Sequence, residues 1–123
     1  MEIMEDDSAM DVADEWHGFL RSGMTPSEAS RATVAYWVAF ADEHEVLVSW
    51  LALAAVQMED GQLQRDVRDR ALSILDAGGD LAWWANDAEQ MQSRKTALDA
   101  LATELRSANP MAKDEQLEDV DLT

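Results

Sequence analysis

The chain contains no cysteine. That absence excludes a disulfide scaffold, thiolate zinc sites and cysteine nucleophiles, and it suits a reducing cytosol. Basic residues are scarce as well: 9 Lys and Arg stand against 26 Asp and Glu, for a formal charge of −17 at pH 7. A field of that sign repels nucleic-acid phosphates and anionic lipid, so direct binding to nucleic acid or to a membrane is not expected. No apolar run approaches the roughly 20 residues of a spanning helix. The opening stretch MEIMEDDSAM is acidic where a secretory signal is basic, and no apolar segment follows it. The expectation is a cytoplasmic protein without a secretion signal. Catalytic signatures are also missing. There is no G-x-S-x-G elbow and no G-x-x-x-x-G-K-[ST] phosphate loop, and the serines sit in no nucleophile motif.

What the chain does have is apolar mass at helical spacing. Hydrophobic residues make up 47% of its 123 residues and include five tryptophans. That is enough for one core without metal or disulfide staples. Residues 1–7 are expected to fray. Ser8 opens a helix whose Val12, Trp16, Phe19 and Leu20 form one apolar face, ended by Gly23. Thr25-Pro26-Ser27-Glu28 is a capping box with proline at the first helical position. The helix it starts places Ala29, Ala32, Thr33, Tyr36, Trp37 and Phe40 on its inward side and stops near Ala41. After the acidic turn Asp42-Glu43-His44-Glu45, a third helix is predicted from about Val46 to Asp60, broken by Gly61. Its stretch WLALAA is apolar on nearly every side, which makes it the central helix. A fourth helix over roughly Leu63–Ala77 buries Leu63, Val67, Ala71, Leu72 and Leu75. Gly78-Gly79 stop it, and Asp80 caps the short piece LAWWAN. Asp87 starts a last helix striped with Met91, Leu98, Leu101, Ala102 and Leu105, which Asn109-Pro110 ends. Residues 111–123 are acidic and aperiodic and are expected to form a disordered tail. The fold class is therefore all-α: a compact single-domain bundle of five or six helices over residues 8–110.

Each candidate for chemistry has a plainer alternative. Carboxylates beside an imidazole in Asp42-Glu43-His44-Glu45 can bind a cation, but consecutive residues on a turn diverge, and no EF-hand spacing follows. His17 can share a helix face with Asp14, yet one His and one Asp make no metal site. The sequence does not fix whether His17 and His44 meet. No catalytic residue, metal or cofactor is assigned, and the chain is read as a non-enzyme. Trp16, Trp37 and Trp50 fit the core. Trp83 and Trp84 are adjacent, and helical neighbours point about 100° apart. One of them is expected to be at least partly exposed, as binding anchors often are, unless a turn lets both pack. Gln57, at the edge of the apolar run, marks either an interface or a satisfied buried amide. Asp7, Asp11, Asp14 and Glu15 fall three or four apart, so carboxylates line one helix face. Such a row can imitate a phosphate backbone, but Arg65, Arg68, Arg70, Arg94 and Lys95 break its continuity further along. The acid is concentrated early, with 13 acids and 2 bases in residues 1–60.

One longer pattern resembles a family. W-L-A-L-A-x-x-Q-x-x-x-G-x-L, from Trp50 through Gln57 and Gly61 to Leu63, is similar to the core signature of an uncharacterised family of small acidic bacterial proteins. The element Gly23, Thr25, Pro26, Glu28 and Ala29, the pair Ala71-Leu72, and Gly78 with Asp80-Leu81 fit the same resemblance, which spans roughly residues 9–113. Met58 and Gln62 depart from it, standing where an aromatic and an arginine are expected. The resemblance implies the helical fold and a bacterial or phage source, and it transfers no activity. Three readings stand side by side. The first is an immunity- or antitoxin-like inhibitor of a basic protein partner, touching it through Asp7, Asp11, Asp14, Glu15, Asp42, Glu43, Glu45, Trp83 and Trp84. The second is a nucleic-acid mimic such as a phage anti-CRISPR or anti-restriction protein. The third is an acidic housekeeping domain whose charge serves solubility or salt adaptation.

Overall fold

Five α-helices and one short 3-10 helix make up the computed structural model, which describes residues 7–108, with side chains from Ala9 onward. Of the stretch 1–7 expected to fray, Asp7 is instead the first residue of α1 and residues 1–6 lie outside the described residues, as does the expected acidic tail 111–123. The helices are α1 (Asp7–Arg21), α2 (Pro26–Phe40), α3 (Glu43–Glu59), α4 (Arg65–Asp76) and α5 (Ala88–Ser107). The 3-10 helix, Leu81–Trp84, joins α4 to α5. No strand occurs among the described residues, so the all-α reading holds.

Local chemistry sets these boundaries. Thr25 and Glu28 close a reciprocal capping box: the Glu28 amide donates to Thr25 Oγ1 at 3.1 Å, and the Thr25 amide donates to Glu28 Oε1 at 3.0 Å. Those bonds hold the Glu28 carboxyl below its ordinary value. Asp42 caps α3 by accepting from the Glu45 amide at 2.8 Å. Glu43 and Glu45 then fall in the first helical turn, where the helix dipole favours negative charge. The helix therefore starts three residues before the predicted Val46, because the acids thought to form a turn are its cap and first turn. At the end of α4, the Gly79 amide bonds to Ile74 O at 2.8 Å and the Gly78 amide to Leu75 O at 3.0 Å. This double closure needs left-handed backbone, and Gly78 and Gly79 have φ of 103° and 59°.

α3 is the centre. α1, α2, α4 and α5 all pack on it, and every residue from Val48 to Gln57 is buried. The apolar run WLALAA is thus the core helix, and no helix among the described residues is long and apolar enough to cross a membrane. Val12 and Trp16 of α1, Val67 and Ala71 of α4, and Leu98, Leu101 and Leu105 of α5 complete the core. At about 25 cal/mol per Å² of apolar surface, each fully buried leucine or valine stabilises the fold by about 1.5–3 kcal/mol. A polar cluster joins α2 and α3 inside. Gln57 Nε2 donates to Ser30 Oγ at 2.6 Å and to Gln64 Oε1 at 3.2 Å, Gln57 Oε1 accepts from the Gln64 amide at 3.1 Å, and Ser30 Oγ donates to Gln64 Oε1. The Gln57 amide is thus buried and bonded.

Three sequence expectations fail at the level of helix faces. α2 turns Ala29, Ser30, Thr33, Val34 and Trp37 inward, whereas Tyr36 and Phe40 are exposed, at 49% and 78%. The rows 29-33-37 and 30-34 already fill the side facing the core. Ala32, Tyr36 and Phe40 form a separate row at steps of four that falls beyond it. Met91 likewise lies outside the buried stripe of α5, and Leu72 and Leu75 of α4 are only half-buried.

Candidate functional site

Asp80 leaves the Gly78-Gly79 stop and points into the protein, with no exposure. It makes no capping bond to the helix that follows, contrary to its expected role. Its carboxylate is instead a hub. Arg94 Nε donates to Oδ1 at 2.8 Å and Arg94 Nη2 to Oδ2 at 2.7 Å, a two-pronged pair. His44 Nε2 lies 2.9 Å from Oδ2, and Trp84 Nε1 donates to the same oxygen at 3.3 Å. Arg94 is as fully buried as Asp80, and its guanidinium lies 5.7 Å from the centre of the Trp84 ring. Burial pushes the Asp80 carboxyl up. The hydrogen bonds from Arg94 and His44, the charge of Arg94 and the Trp84 N–H together outweigh it and hold the group below its ordinary value. An ionised carboxylate only accepts, so His44 carries a proton on Nε2.

The 3-10 helix decides what the two tryptophans do. At 3.0 residues per turn, neighbours diverge by about 120°. Trp84 turns in to Asp80 and Arg94. Trp83 turns out and stacks on the His44 ring, with centroids 4.8 Å apart and planes inclined by 12°. Trp83 remains 48% exposed. Each group at the corner is backed by the next: Trp83 by His44, His44 by Asp80, and Asp80 by Arg94.

His44 also joins two features that the sequence shows only separately. It lies between Glu43 and Glu45 on the first turn of α3, so the acidic segment and the tryptophan pair meet at one corner. Asp42 and Glu43 are exposed there, and Glu45 is half-buried. The acids of α1 lie elsewhere. Asp11 and Asp14 are exposed, Glu15 is half-buried beside Trp37, and Asp7 is the first residue of the helix. Burial first, and then the charge of Asp11, push the Glu15 carboxyl up, while the Trp37 indole pulls it part of the way back. The Trp37 N–H reaches no partner in hydrogen-bond geometry.

The histidines do not meet. His17 Nε2 pairs with Asp60 Oδ2 at 2.7 Å beyond the last turn of α3, whereas His44 sits on its first turn. Among the described residues no group of three or more His, Asp or Glu side chains is placed to hold a metal ion. Arg94 is the residue that sequence reasoning misplaces, as a surface charge interrupting the acid. A signal was present: positions 91, 94, 98, 101 and 105 step by three and four, so Arg94 falls inside the apolar stripe of α5, where a cation needs a buried partner. No family model, curated protein or solved structure matches the chain.

Proposed function

We propose that the protein acts by binding: it is an immunity- or antitoxin-like inhibitor that captures a basic protein partner, with no chemistry of its own. The observation that carries this reading is the half-exposed Trp83, held on His44 beside the acidic first turn of α3. Tryptophan is favoured among residues that dominate binding energy, and an anchor already fixed in the free protein loses little freedom on binding. The formal charge of −17 steers a basic partner to the surface and raises the rate of encounter. Asp42 and Glu43, exposed just before His44 in the chain, would supply the charge for lysine or arginine of the partner.

The test begins with capture from an extract of the source organism on the immobilised protein at low salt. Purified partner is then measured against the protein and against Trp83→Ala. A basic partner is expected, released by salt, with affinity reduced about 30-fold or more by Trp83→Ala, the loss of a hot spot of ~2 kcal/mol. An acidic partner, or a basic one that binds Trp83→Ala unchanged, overturns the reading. Duplex DNA added in excess separates it from nucleic-acid mimicry: displacement of the protein by DNA places the contact on the partner's nucleic-acid site.

A further inference from the structure

The outer face of α2 is apolar where a solvent-facing helix is normally polar. Tyr36 and Phe40 lie against each other with ring centroids 5.2 Å apart and planes tilted by 47°, and Tyr36 meets the buried Trp37 edge-on at 6.1 Å. Ala35, Val38 and Ala39 are exposed around them. A monomeric surface seldom gathers aromatic and aliphatic groups in this way without a use for them. Acid follows the face at its C-terminal end and is present on the neighbouring helix α1. Asp42 and Glu43 follow Phe40 after a single residue, Ala41. Across the packed α1–α2 pair, Glu15 lies beside Trp37 with Asp11 close to it. The single cation of α2, Arg31, lies in the other half of the helix, next to Glu28.

We infer that the Tyr36–Phe40 face of α2 is a docking surface for a cationic amphipathic helix of the partner protein, whose apolar stripe covers the two rings while its basic flanks meet the acids of α1 and of the α2–α3 corner. Charge selects this occupant. A second copy of the chain brings −17 to a surface that already has acid at its C-terminal end, and anionic lipid is repelled in the same way. A helix with leucine-like residues at i, i+3, i+4 and i+7 and lysine or arginine elsewhere satisfies both the rings and the rim. Phe40 is four residues before His44, so the face lies within about 15 Å of chain from the Trp83 corner. One partner can engage both. The inference rests on the binding reading proposed above and extends it from one anchor to two.

The test uses two synthetic peptides of the same Lys and Leu composition, one with amphipathic helical spacing and one scrambled, titrated calorimetrically at low salt. The amphipathic peptide is expected to bind about tenfold more tightly than the scrambled one. Tyr36→Ser with Phe40→Ser, both at exposed positions, is expected to abolish that preference while leaving the helical circular dichroism and the residual charge-driven binding in place. Trp83→Ala is expected to keep it. Equal binding of the two peptides overturns the inference and leaves the acidic binding reading standing. A preference that survives Tyr36→Ser/Phe40→Ser, or that vanishes only in Trp83→Ala, also overturns it. If neither peptide binds, both readings fall.

Discussion

Arg94 and Asp80 are the residues on which the candidate site depends. A buried ion pair contributes little net stability against an apolar replacement, but removing one member strands the other charge. Arg94→Met is therefore expected to cost about 3–5 kcal/mol in urea unfolding. The same substitution frees His44 and Trp84 from a fixed hub, so it should also loosen the Trp83 stack. Glu15 supplies the opposite case. Its carboxyl is pushed up by burial and by Asp11, so the folded state binds its proton more tightly than the unfolded state does. Stability from this group is fully present below the unfolded value and falls as pH rises through the raised folded value. Glu15→Gln is thus expected to raise the melting temperature at pH 7 and to lose that advantage near pH 3. Thermal scans at the two pH values check it. At this scale the sequence was least legible. An arginine or an aspartate reads as surface by type, and only the spacing of Arg94 within an apolar stripe argued otherwise.

Among the elements, α3 was legible because its character needs no partner to define it: a helix apolar on every side has to be central. The caps of α2 and the glycine stop of α4 were legible for a similar reason, since their chemistry is complete within a few residues. The inward face of α2 was not. Its alanines, threonine and aromatics are compatible with several rotations, and the rotation adopted depends on Ser30 reaching Gln57 and Gln64, 27 and 34 residues away. That cluster orients α2 against α3 and so turns Tyr36 and Phe40 outward. Gln57→Leu removes the donor to Ser30 and the acceptor of the Gln64 amide. It is expected to destabilise the fold by about 1–3 kcal/mol despite the added apolar volume. Chemical denaturation measures the loss, and a neutral or stabilising result would remove the polar cluster from the explanation of how α2 is set.

For the whole molecule, the charge is the dominant property and the least informative by itself. Self-repulsion at −17 destabilises any compact chain, keeps it soluble and suits a salty cytosol, so charge alone does not separate a binding protein from an acidic housekeeping domain. The arrangement does more. Rings are exposed where acid is near, at Trp83 beside the first turn of α3 and at Tyr36 and Phe40 on the last turns of α2 before Asp42 and Glu43, and the remaining tryptophans are wholly or largely buried. The direct measurement is the set of five tryptophan indole N–H resonances, assigned by single Trp→Phe replacements and followed as the captured basic partner is added at low salt. The Trp83 resonance is expected to shift on binding, with Trp84 following through the shared hub, while buried Trp16 stays in place. A complex that forms with the Trp83 resonance unmoved would contradict the proposed role of this corner.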